Sequence, residues 1–328
     1  MTGPLIIDAH EDLAYSAISL GRDLLKTAFE TRKLEGKAGV HGGATTSFPD
    51  LVAGNVKIVF GTLWVNPCIS NFDTKPCYTT AEEAHVQAKV QVDYYRNLAA
   101  AGVISIITNK SELEKVVDSS GSKVGVILLM EGADPIRAPS ETKEWFDLGL
   151  RIIGPAWSQT RYCGGTKSPG PLTRDGQRLL KKMEECGFIL DCAHLAEESY
   201  FEALDLFDGP AIVSHANSRL FCPTDRHLSD EMIEKITSRG GVIGTVLYNA
   251  FLDGNWKKGD PKEDVTLSQA IKNIVHVCKV AKSKRHSGIG SDLDGGFGYE
   301  SIPLELDTAS DLFKIGDALK SQAAFSDE

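Results

Sequence analysis

Residues 5–12 read LIIDAHED. The apolar run Leu5-Ile6-Ile7 has no polar alternation, the pattern of a strand covered on both faces as in a parallel sheet. It leads straight into Asp8, His10, Glu11 and Asp12. Such groups are costly at the edge of a core unless something pairs or binds them. His10 and Asp12 are two residues apart, so on a strand they point the same way. The stretch therefore reads as a buried strand whose exit carries chemistry.

The same arrangement recurs down the chain. Further strand-like runs lie at 56–65 (VKIVFGTLWV), 123–132 (KVGVILLMEG), 150–157 (LRIIGPAW), 187–194 (GFILDCAH), 209–217 (GPAIVSHAN), 240–248 (GGVIGTVLY) and 286–293 (HSGIGSDL). Between several of them the apolar spacing changes to three and four. Residues 79–102 begin at Thr79-Thr80 with acids in the first turn, and 173–187 and 229–241 each end on glycine. These are helix caps and stops. Eight strands alternating with helices predict a (β/α)8 TIM barrel, with a doubly wound sheet as the structural alternative. The run GVISIIT at 102–108 fits neither count and reads as an extra edge element.

In a barrel every strand ends on one face, where active sites are built. The residues there would be His10 and Asp12 after the first strand and Glu131 after the third. His194 follows the fifth, His215 the sixth and Asp292 the eighth. Imidazole and carboxylate are ligands of zinc and similar divalent ions. Three histidines and two acids suffice for two ions if one carboxylate bridges them, and a paired site can activate water and polarise a carbonyl. Each residue has a structural reading too. His10 and Asp12 could cap or pair at a strand exit; Glu131 could be an exposed turn acid; His194 and His215 could be hydrogen-bonded core histidines. Asp292 and Asp294 could bond their own turn backbone; for Asp294 that reading is kept. The joint pattern at five strand ends favours the metal. His41, His85, His227, His276 and His286 do not end strands in this way. Cys192 shares a strand face with His194, yet no activating arrangement accompanies it, and GIGSDLDGG lacks the Lys-Ser/Thr of a phosphate cradle.

Composition narrows the class. A net charge of −10 over 328 residues argues against a nucleic-acid partner. Seven cysteines without CxxC spacing argue against a disulfide framework and for a reducing compartment. No apolar stretch is long enough to span a bilayer. The expectation is a cytoplasmic enzyme with a small-molecule substrate and no membrane contact; a homodimer is compatible with it.

Taken in series, IDAHEDL, LLMEGAD, LDCAHL, IVSHANSR and GIGSDLDGG resemble the successive motifs of the membrane dipeptidase (renal dipeptidase, peptidase M19) family of the amidohydrolase superfamily, from His10 to about Gly296. The resemblance implies a (β/α)8 barrel with two zinc ions that hydrolyses dipeptides, often with a D-residue at the carboxyl side. A hydroxide shared by the metals would attack the carbonyl. It implies that His10, Asp12 and Glu131 hold one zinc, and Glu131, His194 and His215 the other. Asp292 would be the acid/base residue, Arg226 in PTDRHLSDE would bind the terminal carboxylate, and Tyr248 would touch substrate. One position departs: Trp157 stands where the family has a substrate-contacting histidine. Either the substrate differs, or Arg161 or Tyr162 covers the role. The alternatives are an amidohydrolase of another small amide, lactam or N-acyl amino acid, and a non-catalytic metal-binding barrel. Ser326-Asp327-Glu328 looks like a helix start, so the expectation is a single domain over 1–328 that stops short of a final helix.

Overall fold

The computed structural model describes residues 5–37, 39–68, 76–119, 123–323 and 325. The eight expected strands are β1 (Ile6–Glu11), β2 (Val56–Trp64), β3 (Val124–Glu131), β4 (Leu150–Gly154), β5 (Ile189–Asp191), β6 (Ala211–Ile212), β7 (Ile243–Thr245) and β8 (Ser287–Ile289). All pairings between them are parallel, in the order β6-β5-β4-β3-β2-β1-β8-β7. The ring closes beyond the named strands. Val213 bridges Ile243, its N–H donating to the Val242 carbonyl while Gly244 N–H donates back to Val213. A doubly wound sheet would leave both edges open, so the architecture is the (β/α)8 barrel.

The extra run also finds a place. Ile104–Ile106 pairs with Val124–Val126 on the early half of β3, and β4 takes over that same edge from Leu128. Two elements thus share one side of a long strand. Outside the ring, helix Ala81–Ala100 starts at a capping box between Thr80 and Glu83, and helix Arg174–Cys186 stops at left-handed Gly187. Leu128, Leu129, Met130, Ile152 and Ile153 are all fully buried, alternately inside the ring and against the helices as two-sided apolar runs require. Gly244 and Gly290 permit the closest strand approach: a Cβ on either would sit 2.0 Å from the Ser214 carbonyl oxygen. Ser214 immediately precedes His215 in the chain.

Two features were not anticipated. Cys163–Gly165 and Ser168–Leu172 form an antiparallel hairpin after β4. Cys68 and Cys77 form a disulfide, which corrects the expectation drawn from the cysteine count. An odd total says nothing about a single local pair, and the cysteine argument for a reducing compartment falls with it. The residues Ser326–Glu328 read as a helix start lie outside the described residues. No helix among those described is long and apolar enough to cross a membrane.

Candidate metal centre

The strand ends converge as the ring demands. Asp12 occupies the N-cap position of helix Leu13–Ser19 but makes no side-chain cap bond; its Oδ1 instead accepts from Thr62 Oγ1 on β2. The capping reading of Asp12 therefore fails. Glu131, the last residue of β3, is 5% exposed and no surface turn acid. His194 and Asp292 adopt left-handed backbone, φ 63° and 60°. That conformation costs a non-glycine residue on the order of 1 kcal/mol and persists where surroundings impose it.

Two donor groups meet at Glu131. Its Oε1 lies 3.0 Å from His194 Nε2 and 3.3 Å from His215 Nε2, and those two nitrogens are 3.0 Å apart. Its Oε2 lies 3.7 Å from His10 Nε2. His10 Nε2 is also 4.0 Å from Asp12 Oδ2 and 3.8 Å from Asp292 Oδ1. His10, Asp12 and Asp292 offer atoms close enough to share a cation, as do His10, Glu131 and His215. Both ring nitrogens of buried His10 lack a hydrogen-bond partner, which an uncompensated core histidine would not tolerate. The set fits divalent cations, with Glu131 facing both groups.

The histidines are oriented from behind. Ser214 Oγ donates to Asp191 Oδ2 at 2.5 Å and stands 2.8 Å from His215 Nδ1. With its proton spent on Asp191, Ser214 accepts from Nδ1–H, which leaves the Nε2 lone pair toward Glu131. Such outer partners fix the tautomer of a ligating imidazole. Thr166 Oγ1, from the hairpin, sits 2.9 Å from His194 Nδ1. Sequence reasoning passed over Asp191, Ser214, Thr62 and Thr166. Asp191 alone left a signal, as an acid inside an apolar strand run.

Electrostatics agree with a cation site. Burial pushes His10 down to about 3, and holds His194 and His215 well below the usual imidazole range. Neutral imidazoles keep their lone pairs. Burial raises Asp12 to about 6 and, together with neighbouring acids, holds Glu131 and Asp292 well above the carboxylate range. Buried acids this close together either hold protons or share cations, and cations among them would favour the ionised form.

A pocket of about 550 Å³ opens over this cluster. Arg226 lines it and is 6% exposed. Its Nη2 donates to the His215 carbonyl at 2.8 Å, while Nε and Nη1 have no partner; the surface salt-bridge reading does not apply. Trp157 lines the pocket as well. Tyr248 is not among its lining residues. Its ring stacks on Phe297 and meets Phe251 and Trp256 edge-on, and Phe251 is the one that faces the pocket. Arg161 and Tyr162 are likewise occupied elsewhere. Arg161 binds Asp134 and the carbonyls of Ile136 and Arg137, and Tyr162 donates to the Ile136 carbonyl. Neither is among the residues that line the pocket. Cys192 is fully buried, its thiol pushed well up by burial, which removes it as a nucleophile. Asp294 proves more than a local turn residue. It accepts from Thr45 and Thr46 backbone and lies 3.2 Å from Arg22, tying the 40s loop to the barrel. Of the other histidines, His85 bonds the Pro135 carbonyl, His276 pairs with Asp230 and His286 bonds the Gly241 carbonyl.

The family model described as membrane dipeptidase, peptidase family M19, matches residues 1–328. A Schizosaccharomyces pombe protein named as an uncharacterised dipeptidase is 25% identical over 322 residues, covering 94% of this chain and 74% of its own. Dipeptidase verJ of Clonostachys rogersoniana is 26% identical over 261 residues, covering 77% of this chain and 64% of its own. A metallo peptidase from Rhodobacter sphaeroides, solved with a phosphinate mimic of the dipeptide L-Ala-D-Ala, superposes with a TM-score of 0.79 at 22% identity. That match covers 100% of this chain and 95% of the other. At that identity the superposition speaks for the fold.

Proposed function

The chain belongs to the membrane dipeptidase family, peptidase family M19, and is a metallo-dipeptidase; from that premise we propose a binuclear zinc site that cleaves dipeptides, those with a D-residue at the carboxyl side included. The observation that carries the reading is the orientation of Glu131, whose two oxygens face two separate donor groups. His10 and Asp12 would hold one ion, His194 and His215 the other, and Glu131 would bridge. When bound, the ions supply Lewis-acid polarisation of the scissile carbonyl and activation of water at neutral pH.

The chain's own residues do the rest. Asp292, buried beside His10, takes a proton from the attacking water and passes it to the leaving nitrogen. Its raised proton affinity suits that exchange. Arg226 lines the pocket with its Nε and Nη1 free of hydrogen-bond partners, and a guanidinium fork matches a terminal carboxylate. That contact fixes which end of the dipeptide lies over Asp292. The D-residue preference is supported by the ligand of the Rhodobacter sphaeroides structure.

The experiment is a panel of L-L dipeptides, L-D dipeptides and N-acyl amino acids, assayed after chelation and zinc restoration, with metal content measured alongside. Two zinc ions per chain with L-D dipeptides cleaved are expected. Two ions with turnover of N-acyl amino acids alone would overturn the dipeptide assignment, and a single ion would overturn the bridge.

A further inference from the structure

One wall of the pocket is a run of aromatic rings. Tyr15 meets Trp64 edge-to-face at 4.8 Å, and Trp64 meets Trp157 at 5.2 Å and 66°. Trp157 in turn tilts over His194 at 6.3 Å. All four line the pocket. Tyr15 and Trp64 are nearly buried, at 4% and 5% exposure, so the edges they present are held by packing. Edge-to-face contact at these distances fixes ring orientation further.

The ring order of the barrel places this wall. Tyr15 follows β1, Trp64 ends β2 and Trp157 follows β4, whereas Arg226 follows β6. In an eight-stranded ring β2 and β6 stand opposite. A dipeptide whose carboxylate meets Arg226 therefore extends across the metal face toward the aromatic wall. Of the pocket's carboxylates, Glu131 pairs in register with Trp64 and Asp12 is bonded by Thr62, two residues before Trp64, but both belong to the proposed metal site, as does Asp292; Asp225 adjoins Arg226. The lysine that lines the pocket, Lys167, sits on the hairpin next to Thr166, the partner of His194. Its backbone N–H donates to Asp225, which sets it toward the Arg226 side; at the wall it is the charge of the bound metals that disfavours a cationic side chain.

We propose that Tyr15, Trp64 and Trp157 form the subsite for the side chain of the substrate's amino-terminal residue, and that it selects large apolar or aromatic side chains. The assignment rests on the dipeptidase reading with Arg226 at the carboxyl end. Trp157 is the specificity-determining residue, being the half-buried ring that bridges Trp64 and the metal-side His194.

The test is kcat/KM for dipeptides X-Ala, with X as Gly, Ala, Leu, Phe or Lys, on the zinc-restored enzyme. Leu and Phe should exceed Gly by about tenfold or more, since each methylene in such a pocket discriminates by about that much, and Lys should not exceed Ala. Trp157→Ala should collapse the Phe/Gly ratio toward one, mainly through KM, and Trp157→Phe should retain it. Calorimetric affinities of uncleavable phosphinate X-Ala analogues should follow the same order, independent of turnover. A flat series with Gly-Ala still cleaved, or a ratio that survives both Trp157→Ala and Trp64→Ala, removes the wall and leaves the dipeptidase reading intact. Preference for Lys would mean that the rings take a cation and overturns the apolar assignment. Cleavage of no dipeptide at all sinks the reading beneath it, and the wall with it.

Discussion

His194 Nε2 lies 3.0 Å from Glu131 Oε1, a contact between the ends of two strands that are not neighbours in the ring. The other Glu131 oxygen is turned toward His10. One carboxylate thus connects two donor groups, and its loss should separate them. Glu131→Gln should leave fewer than two ions per chain by elemental analysis and lower kcat/KM by more than about a hundredfold. With both ions chelated the sign reverses: at neutral pH the variant should melt higher than chelated wild type, because a buried carboxylate among acids has been neutralised. Two ions retained at wild-type affinity would refute the bridge.

Ser214 stands between Asp191 and His215. Ser214→Ala should weaken zinc binding about 10- to 100-fold without changing the ligands themselves, as read by competition with a chromogenic chelator. An unchanged affinity would mean that the Asp191–Ser214 pair serves only the fold.

Asp292→Asn keeps the shape but cannot carry a proton. A fall in kcat of about 10²- to 10⁴-fold with KM near its original value is expected. Activity that persists unchanged would remove Asp292 from the mechanism.

Arg226→Met should raise KM for dipeptides by about 10- to 100-fold, the range of a lost charged hydrogen-bond pair. Dipeptide amides, which lack the carboxylate, should be cleaved equally by variant and wild type. A matching loss on the amides would show that Arg226 acts through His215, whose carbonyl it binds.

Burial raises Asp8 to about 6 despite bonds from Ser291 and His10 backbone. A carboxyl raised on folding contributes stability that is present below about pH 4 and lost as pH rises through about 6. Asn cannot ionise, so chelated Asp8→Asn should gain on chelated wild type over that window. The gain should reach on the order of 3 kcal/mol above it. Denaturant titrations at several pH values would show it; a difference independent of pH would mean that Asp8 stays ionised.

Much of the site was legible because a parallel barrel is regular. Two-sided burial makes each strand a continuous apolar run, so metal-competent polar residues at the exit of each run mark the functional face. His10, Asp12, Glu131, His194, His215 and Asp292 could therefore be read in order. The aromatic wall could not: the family resemblance singled out Trp157, but Tyr15 and Trp64 look like ordinary core residues until the ring order sets them beside it. Tyr248 and Phe251 show the converse: they lie within one turn of each other, and only packing against Phe297 and Trp256 decides which of them faces the pocket.

The sequence by itself determined the strand-and-helix alternation and the chemistry at each strand exit, since both follow from local periodicity and residue type. Tertiary structure alone decided ring closure through Val213 and Ile243, the pairing of Cys68 with Cys77, the Asp191–Ser214 support behind His215, and the opposition of Arg226 to Trp64. Those relations depend on which strands become neighbours and at what register. That is set by the summed packing of the whole barrel, and no single stretch of chain encodes it.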